Sequence, residues 1–142
     1  MIEKEIYDRL REVLVLLAFS TDEVLRPYQL TLEQYDTLLH LSPDNGWRMG
    51  DLAQKTLVDN SKMTRIVDYL ESQGWAERRP DAADRRAQRV YLTAVGETHH
   101  AAAQAAHDAA LQTWLSDFSA TEKEQLFARL EQLRQHLRTY MY

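Results

Sequence analysis

The chain has 142 residues, 44% of them hydrophobic, and a formal net charge of -5. That length suits one domain of ordinary size, or a core shared with a second copy, and is too short for two independent cores. Cysteine is absent, which excludes disulfides, thiolate metal ligands and cysteine-based redox sensing.

The chain starts MIEKEIYDRLREVL, without the basic, apolar and small-residue segments of a signal peptide. No apolar window is long enough to span a bilayer, so no membrane partner is expected and the chain is read as cytoplasmic. Ile2, Ile6, Leu10, Val13, Leu14 and Leu17 recur at three- and four-residue spacings, which predicts a first helix with one apolar stripe, ending before Pro27. Thr31 is placed to cap a second helix in which Leu32, Tyr35, Leu38 and Leu39 share a face, until Pro43-Asp44-Asn45-Gly46 breaks it. A third, short helix holds Leu52, Ala53 and Leu57. Asp59 then stands at an N-cap, followed by Met63, Ile66, Val67 and Leu70 on one face and Gly74 as a stop.

Beyond Gly74 the period changes to two. WAERR alternates, and in QRVYLT the residues Val90 and Leu92 point one way while Arg89 and Tyr91 point the other, as in strands with one covered face. The polar stretch PDAADRRA between them predicts a two-stranded hairpin with an exposed tip. Thr93 is placed to cap a long helix through HHAAAQAAHDAALQTWL, and Ser119 with Glu122 forms a capping box for a last helix striped by Leu126, Leu130, Leu133 and Leu137.

The expected fold is mainly α: a winged helix-turn-helix with a two-stranded β wing, flanked by terminal helices that belong to no reading module. Residues 78–93, RRPDAADRRAQRVYLT, hold five arginines in an acidic chain. On a wing this makes sense, because the planar guanidinium grips phosphate oxygens two at a time and enters a narrow minor groove readily. The second helix of the helix-turn-helix suits the major groove.

These residues carry a resemblance. DLA at 51–53, Thr64-Arg65, LESQG at 70–74, Asp84-x-Arg86 and LTxxG at 92–96 together resemble the signature region of the MarR family of winged-helix regulators, over about a third of the chain. The resemblance implies a homodimer on a pseudo-palindromic operator of double-stranded DNA, usually a repressor, often released by a small molecule. It also implies a single MarR-like domain over 1–142, in which 31–93 read DNA and 1–30 and 94–142 dimerise.

Charge distribution agrees. Residues 48–89 hold nine Lys or Arg against seven Asp or Glu, leaving eight against fifteen in the remainder, so a locally basic segment sits in an acidic background. Asn60, Ser61, Lys62, Thr64 and Arg65 project from the recognition helix away from its apolar face and are assigned to DNA, with Arg85 and Arg86 at the wing. Asp84 is assigned to support the wing by holding Arg86 in one rotamer. The apolar stripes of the first and last helices exceed what a winged core needs, and Tyr140, Met141 and Tyr142 extend them; a second subunit would cover these surfaces.

His99, His100 and His107 lie on one helix without metal-ligand spacing and are read as solvent-facing or interface residues, so no metal and no cofactor is expected. No glycine-rich phosphate loop, nucleophile elbow or paired carboxylates point to an enzyme. From the family likeness, Phe19 and Tyr35 are assigned to a small phenolic ligand, against the plainer reading as core. The competing readings are a winged-helix protein-interaction module, a zinc-responsive regulator, and a ligand-binding protein without DNA activity.

Overall fold

The computed structural model describes residues 1–141. Helix α1 runs over Ile2–Leu25 and passes through a single 3₁₀ turn, Arg26–Tyr28, into the left-handed Gln29. Pro27 forces the change, since it removes a backbone donor and clashes with a continuing α-helix. Helix α2, Leu32–His40, begins at a complete capping box of Thr31 with Gln34, and Asp22 on α1 also accepts the Leu32 backbone N–H at 2.8 Å. Three backbone donors at the start of the helix, those of Thr31, Leu32 and Gln34, are thereby satisfied, and the first two helices are tied together.

Strand β1, Trp47–Arg48, leads into α3, Met49–Thr56, and α4, Asn60–Ser72. Strands β2, Ala76–Pro80, and β3, Gln88–Leu92, form the hairpin. Helix α5, Ala94–Trp114, and helix α6, Ala120–Arg138, complete the chain. The capping reasoning holds in detail: Asp59 accepts the Lys62 backbone N–H at 2.7 Å, Thr93 accepts that of Gly96 at 2.9 Å, and Ser119 with Glu122 forms the expected box. Gly74, at φ 78, ends α4, and the Trp75 N–H returns to the Leu70 carbonyl at 2.9 Å, as a Schellman closure requires.

The sheet is antiparallel in the order β1-β3-β2. Its third strand was not expected. Two residues carry no readable period, and β1 exists because Trp47 pairs with Val90 and Arg48 with Arg89. Two apolar assignments also change. Leu39 is exposed, and Thr37 takes the buried place on α2 with its hydroxyl donating to the Glu33 carbonyl at 2.8 Å. Leu57 is not part of the α3 face; it caps that helix in the left-handed region, at φ 59, and is 75% exposed.

The core gathers Leu25, Leu38, Leu52, Met63, Val67, Leu70 and Val90, all essentially inaccessible. It therefore lies under the helix-turn-helix and the inner face of the sheet, and α1 enters it only through its last turn. Gly96 is required where α5 starts, because a Cβ there would collide with the Trp75 carbonyl. The chain divides into two compact units, Met1–His107 and a second that begins at Asp108. No helix among the described residues is long and apolar enough to cross a membrane.

Candidate nucleic-acid interface

The recognition helix is sorted by burial as its period demands. Met63, Ile66, Val67 and Leu70 are buried, whereas Asn60, Ser61, Thr64 and Arg65 are exposed along the opposite side. Thr64 donates back to the Asn60 carbonyl at 3.0 Å, which uses its proton and leaves the hydroxyl oxygen as an acceptor. Lys62 differs from its neighbours: it is half-buried, and its Nζ meets Glu33 of α2 at 2.6 Å. It braces the recognition helix against α2, a contact it must surrender to reach a phosphate.

The wing is built on two aspartates. Asp81, just after β2, is only 4% exposed. One of its oxygens accepts the Ala83 N–H at 2.8 Å; the other meets Arg89 at 2.9 Å and Arg48 at 3.1 Å. The Ala83 hydrogen bond, with Arg89 and Arg48 adding to it against the penalty of burial, holds this carboxyl below its ordinary range. Asp84 repeats the local turn at the tip, where it accepts the Arg86 backbone N–H at 3.1 Å. Asp84 thus shapes the wing through the backbone of Arg86; the expected grip on the Arg86 guanidinium is not formed.

The register of the sheet explains why so many arginines coexist. Arg48, Arg89 and Arg79 are direct cross-strand partners in one row, and like charges in that position repel. Asp81 neutralises the first two, Arg89 also donates to the Gly46 carbonyl at 2.8 Å, and Arg79 pairs with Glu77 and lies over the Tyr91 ring at 4.3 Å. Arg78, 17% exposed, is held by Asp68 at 2.6 Å and Glu71 at 2.8 Å on α4. The arginines therefore fall into two groups. Arg48, Arg78, Arg79 and Arg89 are consumed by the fold, whereas Arg65, Arg85 and Arg86 are exposed and make no ion pair among the described residues. Sequence reasoning missed the Asp81 clamp, although the β register of Arg89 and the Pro-Asp turn were there to suggest it.

The histidines are not all at the surface. His99 stacks on Trp75 with centroids 3.9 Å apart and bonds the Tyr28 carbonyl at 2.8 Å. His100 is 8% exposed and stacks on Tyr35 at 4.9 Å, while His107 meets the same tyrosine edge-on at 5.2 Å. Tyr35 is accordingly buried between two imidazoles, and Phe19 is exposed on α1. Among the described residues no group of three or more His, Asp or Glu is gathered to hold a metal ion.

A helix-turn-helix whose second helix presents a polar, cationic face, followed by a hairpin with free arginines at its tip, defines a winged-helix protein. The MarR family model matches residues 28–87, which take in the helix-turn-helix and the wing as far as its tip, short of β3. Over that span the chain resembles the MarR family. The transcriptional regulator PecS of Dickeya dadantii is 29% identical over 131 residues, covering 90% of this chain and 79% of PecS. Among solved structures, AbsC, a MarR family transcriptional regulator from Streptomyces coelicolor, superposes with a TM-score of 0.84 at 26% identity over 97% of this chain and 95% of AbsC. The S. aureus MepR–DNA complex gives 0.82 at 25% identity, covering 92% of this chain and 96% of that one. The fold and the exposed cationic face are those of a DNA-binding transcriptional regulator of the kind these relatives represent.

Proposed function

We propose that the chain acts as a homodimeric repressor on a pseudo-palindromic operator, with α4 in the major groove and the wing tip against the backbone or the adjacent minor groove. The observation that carries this reading is the partition of cations. In a chain of charge -5, the arginines of the reading segment, residues 48–89, that are left without an acidic partner among the described residues are Arg65 on the recognition helix and Arg85 and Arg86 at the wing tip. Asn60, Ser61 and Thr64 supply hydrogen-bonding groups for bases and phosphates beside Arg65. The similarity to MepR, whose structure is a DNA complex, supports the same reading. In a two-fold dimer the two α4 helices meet half-sites roughly 34 Å apart.

We assign relief of repression to a small phenolic ligand at Phe19 and Tyr35. Tyr35 is reached only when α2 and α5 part, so the ligand and the closed packing of Tyr35 exclude each other. Calorimetry with a panel of phenolic acids tests this assignment.

Fluorescence anisotropy of DNA from upstream of the chain's own coding region, across a salt series, tests the main reading. Contacts to several phosphates make the logarithm of affinity fall linearly with the logarithm of salt, by about 0.9 per phosphate neutralised. A flat salt response, or no binding to duplex, would leave the wing as a protein-interaction surface.

A further inference from the structure

The contact between α5 and the winged core is made by imidazoles. Where a helix of this kind ordinarily buries leucine or isoleucine, α5 buries only Gly96, His100 and Ala103. His99 is half-buried on Trp75, which immediately precedes β2, and its bond to Tyr28 reaches the turn after α1. His100 and His107 pack on Tyr35 of α2. His100 is the innermost of the three, and its Nε2 is buried with no hydrogen-bond partner. The ring is bonded to the Tyr35 backbone, so it is Nδ1 that makes that bond and Nε2 that is left bare.

We propose that His100 is a pH-sensitive latch: protonation at Nε2 breaks the packing of α5 on α2 and releases the operator. A bare, unprotonated nitrogen in that position costs only the desolvation of one neutral acceptor. A proton there creates a buried N–H donor and a charge, neither of which has a partner. The groups that face His100 offer no relief. On α5 they are His99, which adds like charge, and His107; from α2 the facing group is Tyr35; from the turn after α1, Tyr28 reaches only as far as His99. No carboxylate lies within ion-pair distance of His100 among the described residues. Burial first, and His99 second, accordingly lower its pKa, against the opposing bond to Tyr35.

The consequence reaches the interface because the same short stretch of α5 holds two parts of the reading head. Tyr35 belongs to α2, against which Lys62 of the recognition helix is braced through Glu33, and Trp75 leads directly into the wing. A group with a lowered folded pKa binds its proton more readily in the unfolded or undocked chain. Its stabilising effect is therefore complete above the ordinary histidine pKa, about 6.5, and is lost as pH falls through and below that value. Acidification adds positive charge and by simple electrostatics tightens DNA binding. The latch predicts the opposite sign.

The experiment follows the full chain from pH 8 to pH 5, comparing wild type with His100→Gln, which keeps a donor for the Tyr35 carbonyl but does not titrate, and with His136→Gln on α6 as control. Thermal unfolding by circular dichroism and anisotropy on the upstream duplex are the two readouts. Between pH 7.5 and 5.5 wild type and His136→Gln should lose several degrees of melting temperature and severalfold in affinity. In His100→Gln both losses should shrink by half or more. Imidazole proton resonances of wild type should show His100 titrating below the ordinary histidine value of about 6.5.

Affinity that rises on acidification in wild type, a His100→Gln profile identical to wild type, or a His100 resonance titrating at or above the ordinary value would each overturn the proposal. If His100→Gln does not fold, the resonance titration decides. The affinity arm rests on the operator-binding reading. If no duplex is bound at any pH, that reading fails, and the melting and resonance arms still judge the latch.

Discussion

Asp81 and Arg89 meet at 2.9 Å at the base of the wing, and the same carboxylate oxygen takes Arg48 at 3.1 Å, although Arg48 and Arg89 face each other directly across β1 and β3. Asp81 is what allows two guanidinium groups to stand side by side in the sheet. Replacing it with Asn preserves shape and the Ala83 hydrogen bond but removes the charge. Asp81→Asn should therefore loosen the wing, seen as faster hydrogen exchange at the Gln88–Leu92 amides and weaker operator binding, with helix content unchanged. The carboxyl is held below its ordinary range, so its contribution is full above a pH of about 3.9 and is lost as pH falls through the lower folded value. Wild type should show that acid-dependent loss of wing protection and Asp81→Asn should not. Equal exchange rates at neutral pH would remove Asp81 from its role.

The two groups of arginines make separable predictions. Arg86→Ala should cost about 1–3 kcal/mol of operator binding with an unchanged melting temperature, because the side chain is exposed at the wing tip. Arg78→Ala should lower stability by about 1–2 kcal/mol, since it leaves Asp68 and Glu71 without their shared partner. Arg65→Ala should weaken binding and also relax base preference, if its fork reaches a base edge. Melting curves and affinities measured on the same preparations check all three; a destabilised Arg86→Ala would contradict the partition.

At the turn of the helix-turn-helix, Leu57 adopts φ 59 while 75% exposed. A leucine there pays for the left-handed conformation and gains little burial in return. Leu57→Gly should raise stability by about 0.5–1 kcal/mol despite the added freedom of the unfolded chain. Chemical denaturation gives the answer, and a loss of stability would mean that Leu57 makes apolar contacts the exposed fraction understates.

Much of this was legible in the order of residues because the signals were long or chemically specific. Helices with a continuous 3.6-residue period and a capping residue, such as α4 from Asp59 or α6 from Ser119, are written twice, once in periodicity and once in the cap. The pattern failed where a residue's place depends on partners far along the chain. Strand β1 is two residues whose only strand signal is Val90 and Arg89, more than forty positions away. Thr37 is buried because its hydroxyl satisfies itself on its own helix, which a polarity scale cannot register. His100 reads as surface from composition and is interior because Tyr35 offers it a ring. The reading face was visible as exposed polar residues on α4 with Arg85 and Arg86 at the wing tip, but what occupies the other arginines was not, because that depends on the register that places Arg48, Arg89 and Arg79 in one row.

The assembly is the remaining expectation, and it bears most on how an operator is read. Leu126, Leu130, Leu133 and Leu137 of α6 are all exposed, as are Ile2, Ile6, Val13, Leu14 and Leu17 of α1. Full burial of one such side chain contributes about 1.5–3 kcal/mol, so leaving both stripes in water forgoes more than the net stability of many domains. The proposed homodimer would take these stripes out of water and give the two-fold symmetry a palindromic site needs. Light scattering should give a mass twice 16.6 kDa. Leu130→Glu combined with Leu133→Glu places two charges on the α6 stripe and should shift the protein to monomer or to poorly folded material. Operator affinity of any folded monomer should fall by about 10²–10⁴-fold, because the second half-site no longer benefits from tethering to the first. A wild-type protein that scatters as a monomer, or a double variant that stays dimeric with full affinity, would show that these leucines serve something other than self-association.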